Sequence, residues 1–132
     1  MKNETNKKNP YWISKHRYLE LKHWCMQYSD WEEECQSYTY LTSKIPEGEK
    51  SSEVSDSTYQ MTIRIGKLKR KMYLIADICK QVAPNYAITL MVAITNNFSY
   101  DDVVVYNPSL PSRSDWYKTR RKFFYILSQE RD

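Results

Sequence analysis

Residues 57–82 read STYQMTIRIGKLKRKMYLIADICKQV, and the spacing of their apolar residues decides the fold class. Met61, Ile65, Leu68, Met72, Ile75, Cys79 and Val82 recur at alternating steps of four and three. A helix brings residues so spaced onto one side, so the stretch predicts a long helix over 57–82 with a continuous buried seam. Such a seam suits a central core helix or a coiled-coil dimer contact. The core reading is favoured, because the shorter helices around it need a surface to pack on. The outer face carries Arg64, Lys67, Lys69, Arg70 and Lys71. These cations form a secondary basic face, readable as a nucleic-acid contact or as a solvated helix surface.

On the N-terminal side, residues 43–57 are polar, contain Pro46 and Gly48, and show no period, which predicts a loop or linker. Before it, residues 11–42 read as a helical hairpin. Ser14 caps a first helix with Tyr18, Leu21, Cys25 and Tyr28 on one stripe. Ser29 and Glu32 have the spacing of a capping box, opening a second helix with Trp31, Cys35 and Tyr38 inward. Glu32, Glu33 and Glu34 would complement the positive end of its dipole. Residues 1–10 read as a flexible tail. On the C-terminal side, Pro84 suits the first turn of a helix whose stripe is Ile88, Met91, Val92 and Thr95, stopped by Asn96 and Asn97. Residues 58–132 thus form a long helix plus a C-terminal pair, and with the hairpin one compact, mostly α unit.

Composition narrows the function. Only 2 of 132 residues are Gly, which counts against all-β folds and against phosphate-cradling glycine loops. The net charge of +4 hides a segregation. Residues 59–83 carry 6 basic and 1 acidic side chains and residues 112–132 carry 6 and 3, whereas residues 29–58 carry 2 and 8. Concentrated positive charge on particular elements is the footprint of a polyanionic partner. The 3 cysteines, Cys25, Cys35 and Cys79, show neither disulfide nor metal spacing. The polar N-terminus has no secretory pattern, and the apolar run Tyr86–Ile94 is about half of the roughly 20 residues of a membrane span. The expectation is a cytoplasmic protein that makes no membrane contact.

Catalytic constellations are weak. His16, Glu20 and His23 share one helix face at metal-compatible spacing, but no fourth ligand accompanies them. Cys25 lies near His23 without a group to orient a base. No enzyme activity, metal or cofactor is expected. Of the many aromatics, Tyr18, Trp31 and Trp116 read as core. Tyr11, Trp12 and Trp24 suit either the core or an interaction surface.

The last 34 residues carry the functional signal. Ser99-Tyr100-Asp101-Asp102 starts a helix with a Ser cap and an acidic first turn. Val103-Val104-Val105-Tyr106 fits a helix or a short strand. After a Pro-containing turn, Ser112-Arg113-Ser114-Asp115 caps a final helix. Trp116, Arg120, Phe123, Phe124 and Leu127 form its apolar side, and Lys118, Arg121, Lys122 and Tyr125 a basic one. This is a helix-turn-helix arrangement whose second helix suits a major groove. Ser112, Arg113, Ser114 and Tyr117 would meet bases or phosphates, and Lys118, Arg121 and Lys122 the flanking backbone.

The segment from Ser99 to Lys122 resembles the sigma-region-four-type helix-turn-helix of phage and prophage late-transcription regulators of the ArpU/RinA kind. Those proteins share a Ser-Tyr-acidic-acidic-aliphatic opening and a Ser-x-Ser-x-aromatic-Tyr helix followed by Arg and Lys. The resemblance covers about a quarter of the chain and implies that the same seven residues, Ser112, Arg113, Ser114, Tyr117, Lys118, Arg121 and Lys122, contact duplex DNA. It implies a regulator acting in the bacterial host cytoplasm, with the N-terminal hairpin serving homodimerisation or polymerase contact. The alternative is a non-enzymatic phage inhibitor of the anti-CRISPR or anti-restriction type, docking on a host protein or nucleoprotein complex.

Overall fold

The computed structural model describes residues 9–43 and 56–132, and for 39–43 the backbone alone. The described residues form helices and no strands: α1 (Lys15–Cys25), α2 (Tyr28–Ser43), α3 (Asp56–Val82), α4 (Ala87–Asn96), α5 (Tyr100–Val104) and α6 (Arg113–Glu130). The fold is mostly α with a long central helix and a C-terminal helix–turn–helix succession, as the sequence predicts. Residues 1–8 of the expected tail and 44–55 of the expected linker lie outside the described residues. No helix among the described residues is long and apolar enough to cross a membrane.

The chain divides into two compact units, Met1–Gln27 with Leu74–Asp132, and Tyr28–Tyr73. This differs from the expected boundaries, because α1 and α2 fall in different units and the division runs through α3. The physical reason lies in α1. It packs on α6 and α4, which come late in the chain. In the smaller unit, Trp31 and Cys35 of α2 and Leu68 of α3 are buried. Arg64 pairs with Glu34 at 3.2 Å, and the Lys71 ammonium lies 5.3 Å from the Trp31 ring centre. The Arg64 hydrogen bonds hold the Glu34 carboxyl below its usual range.

Local chemistry sets most helix ends. Ser14 caps α1, its hydroxyl accepting from the Arg17 amide at 3.2 Å. The expected Ser29 cap does not open α2. That helix starts at Tyr28, leaving only Met26 and Gln27 between α1 and α2, and Asp30 is the acidic residue of its first turn. Asn97 ends α4 in the left-handed conformation (φ 56°, ψ 42°), a role usually given to Gly. Ser99 opens α5 with a complete capping box, its amide donating to Asp102 at 2.8 Å and its hydroxyl accepting from the Asp102 amide at 3.3 Å. These bonds fix the first turn, and Tyr100–Val104 is helical despite its β-branched run. Asn97 is the one non-Gly residue at positive φ among the described residues, so the α5–α6 connection does not require glycine.

Two expectations for α4 are corrected. Pro84 lies in a turn before the helix, which begins at Ala87. The buried face is Leu90, Ala93, Ile94 and Thr95, while Ile88 is 76% exposed and Val92 is also exposed. The segment AITLMVAITN is apolar on every side, so hydropathy does not select the inward face. What selects it is the packing of α4 against α1 and α5.

The larger unit closes where α1 meets the end of α6. Arg17 donates from Nε to Ser128 Oγ (3.1 Å), and from Nη2 to the carbonyls of Ser128 (3.0 Å) and Arg131 (2.6 Å). The guanidinium thereby satisfies carbonyls at the C-terminal end of α6 that have no intrahelical donor. Glu20 pairs with both Arg17 and Arg131, and the Arg131 guanidinium lies 4.9 Å from the Trp24 ring centre. Trp24 is core, Trp12 is half-buried and Tyr11 is 36% exposed.

The α4 register makes a stability prediction. Leu90→Ala should destabilise the fold by about 2–5 kcal/mol. Ile88→Ala should stay within about 0.5 kcal/mol of the parent. Urea unfolding followed by circular dichroism measures both, and equal losses would contradict the register.

Candidate nucleic-acid interface

The aromatic stripe of α6 aims its cations. Trp116, Arg120, Phe123, Phe124 and Leu127 are buried, so residues half a turn away must face outward. Trp116 is fully buried between two tyrosines: Tyr86 stacks on it at 5.8 Å and Tyr100 tilts against it at 5.9 Å. The Tyr86 hydroxyl bonds Thr119 Oγ1 at 2.9 Å, fixing the rotation of α6 at a second point. Phe124 meets Tyr18 of α1 edge-on at 5.0 Å.

The seven predicted contact residues all lie on or beside α6, in three groups. Ser112 is the N-cap, its hydroxyl accepting from the Asp115 amide at 3.3 Å. Arg113 and Tyr117 join α6 to α5. Arg113 makes a two-pronged pair with Asp101 (2.6 and 3.1 Å) and lies 5.1 Å from the Tyr100 ring centre, while the Tyr117 hydroxyl accepts from the Tyr100 amide at 3.3 Å. Ser114 and Lys118 are exposed on the outward face, and Arg121 and Lys122 are half-exposed. Lys122 Nζ lies 6.0 Å from the ring centre of Tyr11, whose ring also meets Tyr125 edge-on at 5.6 Å.

The connection over 105–112 is long for a helix-turn-helix, whose turn typically takes about 3–4 residues. It is nevertheless held in place. Asn107 Nδ2 donates to Thr89 Oγ1 of α4 at 3.0 Å, Leu110 is buried, and the Tyr100 hydroxyl donates to the Pro111 carbonyl at 2.7 Å. Sequence reasoning missed these tethers, since they involve polar groups distant in sequence. It also missed an apolar groove of about 520 Å³ lined by Ile88 and Val92 of α4, Val103 of α5, Phe98 between the two helices and Tyr106 just after α5. Tyr106 is 89% exposed.

The secondary basic face on α3 belongs to the smaller unit and is split. Arg64 and Lys71 turn toward Glu34 and Trp31, while Lys67, Lys69 and Arg70 are exposed. Elsewhere, Glu20 of the His16–Glu20–His23 face is engaged by two arginines, and no group of three metal-ligating residues gathers among the described residues. Burial pushes the Cys79 thiol up to about 12 and raises that of Cys25 still further. Both are packing groups in the neutral form rather than nucleophiles.

The Arg113–Asp101 pair is exposed and therefore exchangeable, and a phosphate oxygen can take the place of the carboxylate. Hydrogen bonding to Arg113 holds the Asp101 carboxyl below its usual range. A lowered carboxylate value means that the pair contributes at neutral pH and is lost as pH falls below about 3.9 and through the lowered value. Arg113→Ala should move the Asp101 midpoint upward in a carboxyl NMR titration, and an unmoved midpoint would show that the pair does not form. Comparison with known protein families, curated proteins and solved structures found no match.

Proposed function

We propose that the protein binds duplex DNA with α6 presented to the major groove, and that it does so as a transcription regulator of the phage and prophage type. The observation that carries this reading is the division of α6 into a buried aromatic stripe and an opposite face bearing Ser114, Lys118, Arg121 and Lys122. The capped helix α5 before it supports the same reading, because α5 fixes the N-terminal end of α6, the part that reads base edges in this motif. The regulatory role rests on the resemblance of Ser99–Lys122 to late-transcription regulators. The protein acts by binding rather than catalysis, in the host cytoplasm.

The test is a titration of fluorescent duplexes, random and candidate operator, at several salt concentrations. Affinity should fall linearly with salt on logarithmic axes. The triple change Lys118→Ala, Arg121→Ala and Lys122→Ala should flatten the slope by about 2.7, at about 0.9 per phosphate contact. Absence of binding at low salt, or a slope unaffected by the triple variant, would overturn the proposal.

A second reading is favoured by the exposed apolar side chains along the α4–α5 groove, which suit protein docking. On that reading the protein inhibits a host nucleoprotein defence complex. Arg121→Glu with Lys122→Glu separates the two, abolishing operator binding under the first and leaving inhibition intact under the second.

A further inference from the structure

Helix α4 is apolar on every side, and its packing covers only part of that surface. Leu90, Ala93 and Ile94 are buried, while Ile88 and Val92, one turn apart on the other side, are exposed. With Phe98, Val103 and Tyr106 they wall the groove of about 520 Å³. Its shape is fixed by hydrogen bonds. The Phe98 amide donates to the Ala93 carbonyl at 2.8 Å, the Tyr106 amide to the Val103 carbonyl at 3.1 Å, and the Asn107 side chain reaches across to Thr89. The groove is thus preformed.

Its polar lining serves the fold. Asp102 accepts from the Ser99 amide at 2.8 Å, and Asn107 donates to Thr89 and accepts from the Ser109 amide at 3.2 Å. A small polar ligand needs convergent polar groups to orient it, and here those groups are engaged with one another and the backbone. Charge narrows the occupant further. The α4 segment AITLMVAITN holds no charged residue, and Asp102 is the one charged side chain in the groove's lining. A polyanion would need cations there, and a basic segment would need a cluster of acids. A second copy of the same nearly neutral surface brings no block of like charge with it.

Form and area suit that partner. Tyr106 and Ile88 stand out to solvent beside a hollow, so the surface carries both the knob and the hole that a two-fold contact needs from each copy. With aromatic side chains carrying about 150–250 Å² each, two copies of Ile88, Val92, Phe98 and Tyr106 would bury on the order of 1,000 Å² together, which is where stable interfaces begin.

We infer that the α4–α5 groove is a homodimer contact, in which each copy seats Tyr106 and Ile88 against the groove of the other. The lining contains no residue of α6, so this contact is separate from the candidate DNA face and does not rest on the DNA-binding reading.

Sedimentation equilibrium of the full chain from about 5 to about 500 μM tests it, since a contact of this size gives a dissociation constant of micromolar order. The mass should rise with concentration from the 15.9 kDa of one chain toward twice that value. Ile88→Glu and Tyr106→Glu should each raise the dissociation constant at least about tenfold, because a two-fold contact meets every substitution twice. Both positions are exposed, and an unchanged far-UV circular dichroism spectrum verifies folding. Tyr73→Glu, at an exposed aromatic of the smaller unit, should leave the constant unchanged. A chain that stays at 15.9 kDa across the whole range overturns the inference and leaves the groove to another partner. A dimer that survives both groove variants, or that Tyr73→Glu dissociates as readily, also overturns it, because another face then holds the copies together.

Discussion

The packing of the α6 aromatic stripe against α1 and against Tyr86 and Tyr100 governs the larger unit. Trp116, Phe123, Phe124 and Leu127 leave water together only if α6 sits in one rotation. Three groups hold that rotation: Tyr86 on Thr119, Tyr18 on Phe124, and Arg17 on the last carbonyls of α6. Arg17 matters because it joins the first helix to the last. Helices α1 and α6 share one core, and the segment Tyr28–Tyr73 forms a unit of its own.

The same constraint produces the candidate interface. A helix whose apolar residues occupy one side must present its remaining cations on the other, and α6 carries enough of them to matter for a polyanion. The α5 helix adds orientation. Its capping box and the Tyr117–Tyr100 bond place its acidic first turn beside Arg113, which pairs with Asp101. The acidic residues around α2 have a parallel role in the smaller unit, where Glu34 engages Arg64 and leaves Lys67, Lys69 and Arg70 exposed.

How much of this was legible depended on whether the signal was local. The long helix α3 with Leu68, Ile75 and Cys79 buried, the caps at Ser14, Ser99 and Ser112, and the two sides of α6 follow from spacing and side-chain chemistry within a turn or two. Met61, Ile65, Met72 and Val82 of the expected seam, by contrast, are only half-buried. The face of α4 did not follow, because a helix apolar all round contains no pattern to read. The unit boundary, the Arg17 staple, the Asn107–Thr89 tether and the seating of Tyr11 join residues far apart in sequence, and no local rule connects them. The scarcity of glycine was readable as a count but not in its consequence: Asn97 makes the left-handed cap, and the α5–α6 connection needs none. Trp24 reads as open from sequence and is buried in the structure, under the guanidinium of Arg131.

The most direct test of the account is an amide chemical-shift map of the isotope-labelled protein on addition of a short duplex. The account predicts that the largest shifts fall in Ser112–Lys122 and around Tyr11, with the α4–α5 groove at Ile88, Phe98 and Tyr106 unmoved. Shifts confined to that groove, or no shifts at low salt, would contradict it.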